Sequence, residues 1–89
     1  MDRIYIDELM WDDENMSKVA QHQLTVSEVY EALVLDTNRT ASWEDDREHG
    51  LRVLAMGTCE SNSKVIIAPL DPVDEAEGIW RPRTAWRLK

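Results

Sequence analysis

Apolar residues recur with a helical period early in the chain and with a strand-like pattern only later, and this switch restricts the folds open to it. Met16, Val19 and Ala20 fall at i, i+3 and i+4, an inward stripe that leaves Glu14, Lys18 and Gln21 facing out. Asp12 and Asp13 stand just before it, where carboxylates accept from orphan backbone N–H groups and favour the positive end of the helix dipole. The spacing predicts a helix over about 13–22. Thr25-Val26-Ser27-Glu28 then matches a capping box, in which the Thr hydroxyl serves the Glu N–H and the Glu carboxylate reaches back. A second helix over 26–34 is expected to bury Val26, Val29, Tyr30 and Leu33.

The rest of the chain reads as sheet. The opening RIYIDELMW alternates Ile4, Ile6 and then Leu9 with polar neighbours, which suggests a first strand or extended segment of low regularity. Residues 36–50 are polar and show no helical stripe, so they read as a loop with at most one short strand around 38–43. LRVLAMG (51–57) and KVIIAPL (64–70), joined by the turn-forming TCESNS, should make an antiparallel hairpin. DPVDEAEG reads as an acidic loop and IWRPRTAW as a third strand, in which Pro82 favours an edge or a bulge because it has no N–H for a ladder. Helices first and strands afterwards imply an α+β fold over a single domain, 1–89. Two short N-terminal helices would pack on an antiparallel sheet of three to four strands.

With 89 residues there is room for one core. No stretch approaches the roughly 20 apolar residues that span a bilayer, and the N-terminal residues lack the layout of a leader, so a cytoplasmic chain without membrane contact is expected. Cys59 is the single cysteine, and with His22 and His49 it does not supply a zinc site, so no metal is expected. Phosphate-loop, zinc-protease and hydrolase signatures are missing, and no cofactor is expected. A net charge of −8 argues against direct DNA binding, whose affinity comes largely from Lys and Arg on phosphates.

The charge is unevenly spread. Arg81, Arg83, Arg87 and Lys89 close a chain whose acidic residues crowd its first half, and Trp80 and Trp86 are interleaved with them. This fits a small cationic site on an anionic body, or a solvated tail. On a strand, Arg81 and Arg83 share one face, where guanidinium groups can hold phosphates bidentately, while flanking aromatics could stack an unpaired base. The competing reading puts Trp80 in the core and pairs the arginines with the acidic helices. His22 closes the first helix and reads as a cap or a proton-transfer group. Cys59 reads as a structural thiol, and Glu44-Asp45-Asp46 as a solvated acidic run.

ELMWDDENMSKVAQHQLTVSEVYEAL resembles the N-terminal half of the BrnT family, toxins of type II toxin–antitoxin pairs whose fold is related to RelE ribonucleases. Members open with a strand ending in Trp-Asp, continue with a helix ending in His-Gly, and begin a second helix with a Ser/Thr-x-x-Glu cap. Here Trp11, Asp12, Asn15, Lys18 and His22 stand at the corresponding places, followed by Thr25, Glu28 and Val29. Downstream, LRVLAMGTCESNSKVIIAPL is similar to the family's strand, turn and strand, and GIWRPRTAW to its last strand. Gln23 follows His22 where the family has Gly, at a position expected to need left-handed backbone, and Trp86 stands where the family carries Arg. The resemblance implies a ribonuclease that cleaves RNA without a metal and is held in check by a cognate antitoxin protein. It points to Lys18, His22, Arg83 and Arg87 as catalytic residues. Arg52 supports them, and Arg81 and Trp86 bind substrate. A non-catalytic protein-interaction module of the same fold is the alternative.

Overall fold

Each helix starts where a cap residue can satisfy its first free N–H groups. The structure, a computed structural model, describes residues 3–89; Met1 and Asp2, part of the N-terminal stretch read above as unlike a leader, lie outside them. In chain order the elements are β1 (Glu8–Leu9), α1 (Asp13–Gln21), α2 (Val26–Tyr30) continued by a π turn (Glu31–Leu35), β2 (Thr40–Asp46), β3 (Gly50–Thr58), β4 (Val65–Asp74), β5 (Ile79–Pro82) and β6 (Trp86–Leu88). Asp12 caps α1 and Thr25 caps α2, both through reciprocal capping boxes. The predicted Thr25–Glu28 pair closes at 2.9 and 3.1 Å.

The α1 stripe differs from the expected one. Asn15 and Val19 are the buried residues, whereas Met16 and Ala20 are exposed. A polar side chain occupies the inward position because it has polar work there. Asn15 accepts from the Asp12 N–H at 2.8 Å and donates to the carbonyls of Met10 (3.0 Å) and Pro82 (2.8 Å). Tyr30 also departs from expectation and is exposed, while Val29, Ala32 and Leu33 line the core.

Helix α1 ends in a Schellman motif: the Leu24 N–H donates to the Val19 carbonyl and the Gln23 N–H to that of Ala20, at 3.0 and 2.9 Å. Val19 and Leu24, the two residues such a motif brings together, are both buried. Gln23 has φ 61°, the left-handed geometry expected of that position and one that costs a side-chain-bearing residue about 1 kcal/mol.

The fold is α+β, but the sheet is larger than the three to four antiparallel strands expected. Six strands form one mixed sheet in the order β1-β5-β4-β3-β2, with β6 also paired to β4. The parallel member is β1, whose Glu8 and Leu9 face Ile79 and Trp80 of β5. Strand β2 falls in the segment read as a loop with at most one short strand around 38–43; it covers Thr40–Asp46 and so runs three residues further, through acidic residues that carry no apolar signal. The expected hairpin is present as β3–β4, with Val53 opposite Leu70 and Thr58 opposite Val65. Gly57 lets β3 run directly beneath the π turn, since a Cβ there would overlap the Ala32 carbonyl.

Register divides the sheet into two faces. Val53, Ala55, Ile66, Ala68, Leu70 and Trp80 are buried on the face that meets the helices. Leu54, Met56, Ile67 and Trp86 lie on the other, partly open face. The expected third strand is split. Pro82 pairs with Leu70 and Trp86 with Ile67, so four steps on the last strand answer three on β4. One extra residue in the Arg83–Ala85 interruption reverses the facing of everything after it.

Replacing Asn15 with Ala should cost about 2–3 kcal/mol in urea denaturation, because it strands two carbonyls and removes half of the α1 cap. Asn15→Asp, which keeps the cap acceptor but sets a carboxylate against the same carbonyls, should cost at least as much. A loss below about 0.5 kcal/mol for both would remove this contact from the account.

Candidate functional site

The strand bulge decides which terminal side chain meets α1. An uninterrupted strand would put Arg87 on the face of Arg81 and Arg83. The extra residue instead sets Arg87 opposite the buried Ile66, on the helix-bearing face, and turns Trp86 outward opposite Ile67. Arg87 thereby reaches the end of α1. A cleft of about 360 Å³ opens there, lined by Gln21, His22, Gln23, Leu24, Lys64, Trp86, Arg87 and Lys89.

His22, Trp86, Arg87 and Lys89 come from the residues read as a possible site; Lys64 and the two glutamines were not foreseen. The cleft lining has three permanent cations and a histidine, and no Asp or Glu. One of the cations, Lys64, in the turn between β3 and β4, is paired through its ammonium with Glu28 at 2.7 Å. Glu28 is fixed in turn by the Thr25 N–H and the Asn62 amide, so the α2 cap positions a cleft cation. Lys18 is not in the lining, but it lies four residues before His22 and thus on the same side of α1, one turn away.

The other expected residues are engaged elsewhere. Arg81 binds Asp12 through two nitrogens, at 2.8 and 3.1 Å, and also reaches Glu14. Its guanidinium holds the Asp12 carboxyl below the ordinary carboxylate range, helped by the Asn15 N–H. Arg83 is paired with Asp71 at 2.8 Å, and Arg52 with Asp46 at 3.1 Å. Trp80 is buried, donates its indole N–H to the Tyr5 carbonyl and packs at a tilt on Trp43. The structure therefore does not bring Arg52 or Arg83 together with His22: both already neutralise a carboxylate, and neither lines the cleft.

Sequence reasoning had no signal for Lys64, which reaches the cleft only because the β3–β4 turn folds back to Glu28. A signal for Arg87 did exist in Pro82, which was read as a possible bulge, although the extra residue lies between Arg83 and Trp86. Among the described residues no group of three or more His, Cys, Asp or Glu is arranged to hold a metal, and no helix is long and apolar enough to cross a membrane. No family model, curated protein or solved structure matches the chain.

The Glu28–Lys64 contact has a pH signature. Lys64, first, and then the Thr25 N–H and the Asn62 amide bring the Glu28 carboxyl down from 4.5 to about 2. A carboxyl lowered on folding stabilises the chain above its unfolded pKa and loses that contribution as pH falls through the folded value. The wild-type stability advantage over Glu28→Gln should therefore be full above about pH 4.5 and fade toward pH 2. Denaturant midpoints measured across that range test this; a difference that stays constant would mean the ionised contact is not its source.

Proposed function

We propose that the chain is a BrnT-like toxin of a type II toxin–antitoxin pair and that it cleaves RNA in the His22–Arg87 cleft without a metal. The observation that carries the reading is the cleft itself: a lining with Arg87, Lys89, Lys64 and His22 and no Asp or Glu, on a chain of net charge −8. An anion approaching this protein is repelled from most of its surface and attracted here, which focuses phosphate binding on one place.

The residues support a balanced transesterification. Neutral His22 takes the proton of a ribose 2′-OH, and the 2′ oxygen attacks the adjacent phosphorus. The bond from phosphorus to the 5′ oxygen breaks, leaving a 2′,3′-cyclic phosphate on one fragment. Lys18, one turn earlier on α1, supplies the proton that the departing 5′ oxygen needs. Arg87 and Lys89 stabilise the extra negative charge of the pentacoordinate state, while Lys64 is held at the margin by Glu28. Trp86, half-buried at the cleft wall, offers a ring on which an unpaired base can stack. Arg52, Arg81 and Arg83 hold the scaffold together through their ion pairs.

A second reading, a protein-interaction module of the same fold, is favoured by a separate observation. Leu54, Met56, Val65, Ile67, Trp86 and Leu88 share the open sheet face, the first five half-buried and Leu88 exposed, so that a partner could cover a contiguous apolar patch. A cognate antitoxin protein seated on that face fits either reading.

Incubating the purified protein with single-stranded RNA and resolving the fragments separates the two. The toxin reading expects cleavage, lowered roughly 100-fold or more by His22→Ala and by Arg87→Ala, and changed little by Arg52→Ala. Intact RNA, with growth unaffected when the protein is induced in cells, leaves the interaction module as the function.

A further inference from the structure

Strand β2 ends the sheet on the side away from β1, so one row of its backbone N–H and C=O groups has no ladder partner. A groove of about 490 Å³ runs along its first half, between the N-terminal segment and the residues from Arg39 to Trp43. Two guanidinium groups, Arg3 and Arg39, line it, and neither has a carboxylate at ion-pair distance among the described residues. Asp36, the carboxylate nearest Arg39 in the sequence, is committed to the N–H groups of Asn38 and Thr58, at 2.9 Å each. The Arg39 Nε is buried without a hydrogen-bond partner, and burial, then Arg3, lowers the Arg39 pKa. Two like charges set side by side, one with an orphaned donor, form a cradle that an anionic group would satisfy.

The same edge changes sign within a few residues. Glu44 and Asp45, in the second half of β2, are exposed and have no ion-pair partner among the described residues. Four residues of strand cover about 13 Å, so the basic and acidic halves are both within reach of one short extended segment. A nucleic acid strand carries negative charge along its whole length and would meet these carboxylates with the wrong sign. A polypeptide can match both halves.

We propose that the free edge of β2 accepts an extended polypeptide strand whose acidic end seats between Arg3 and Arg39 and whose basic end lies along Glu44 and Asp45. Backbone pairing supplies affinity and the two charged ends set the direction, as in other cases of strand addition. Trp43, which is 39% exposed and borders the groove, gives the segment an apolar side chain to cover. The proposal does not rest on the RNA reading and stands even if the His22–Arg87 cleft is inert.

The test uses the full chain and fluorescein-labelled nine-residue peptides of alternating threonine and valine, with two glutamates at one end and two lysines at the other, made in both directions. Fluorescence anisotropy should show saturable binding of one direction over the other. It should weaken about fivefold or more with Arg3→Gln, with Arg39→Gln and with Glu44→Lys. Arg3 and Glu44 are exposed, so those two variants decide the matter if Arg39→Gln perturbs folding. Methylating alternate peptide nitrogens, in two sets that together cover every amide, should abolish binding in at least one set. An unlabelled single-stranded RNA of the same length should fail to compete. The proposal is overturned if neither direction binds, if both methylated sets bind like the parent, or if RNA displaces the peptide from the wild type but not from Arg3→Gln.

Discussion

The Asn15 side chain fixes the relation between the helices and the last strand, and the candidate site follows from that relation. One buried amide closes the α1 cap with Asp12 and ties the Met10 and Pro82 carbonyls to the same point. From this junction α1 and the last strand leave side by side. Seven residues of helix carry the chain about 10 Å to His22, and five residues of bulged strand carry it about 15 Å to Arg87. The two therefore arrive near one another, and the cleft opens between their far ends. A buried polar group of this kind costs stability wherever it lacks a partner, so the arrangement specifies one docking of α1 and penalises slipped ones.

Charge is sorted by the same framework. Asp12 does two things at once: it caps α1 and binds Arg81, which joins the helix to β5. Asp71 and Asp46 likewise absorb Arg83 and Arg52. Pairs near the surface such as these contribute little stability individually, yet they decide which cations remain available for an outside anion. In the cleft the available ones are Arg87 and Lys89, with Lys64 held at its margin by Glu28. Acidic surroundings sharpen the contrast, and salt within the physiological range confines it to about 8 Å.

Much of the helical half was legible in the sequence. Thr25 and Glu28, and the Asp12 start, are local devices whose partners lie three residues away, so spacing alone exposes them. The left-handed backbone of Gln23 was legible for the same reason, given the resemblance to a family with glycine there. Asn15 was hidden because its partners are Met10 and Pro82, the second of them 67 residues distant. Strand β2 was half legible: Ala41 and Trp43 alternate with Thr40, Ser42 and Glu44, whereas Glu44-Asp45-Asp46 continue the edge with no apolar residue to mark it. At the candidate site, His22 and Arg87 were named but their meeting was not. It depends on one extra residue between Pro82 and Trp86, a register fact set by pairing with β4. Arg52, Arg81 and Arg83 looked like phosphate ligands only while their carboxylate partners, Asp46, Asp12 and Asp71, were out of view.

If the proposed cleft binds RNA, the end of α1 and the last strand together form the anion-binding face of this chain. Titrating isotope-labelled protein with a short single-stranded RNA and following its NMR spectrum tests this residue by residue. The His22 ring, the Trp86 indole N–H, and the backbone of Gln23 and Arg87 should shift together, and the shifts should collapse with added salt. Shifts centred instead on Arg52 and Arg81, with His22 and Arg87 unmoved, would contradict it.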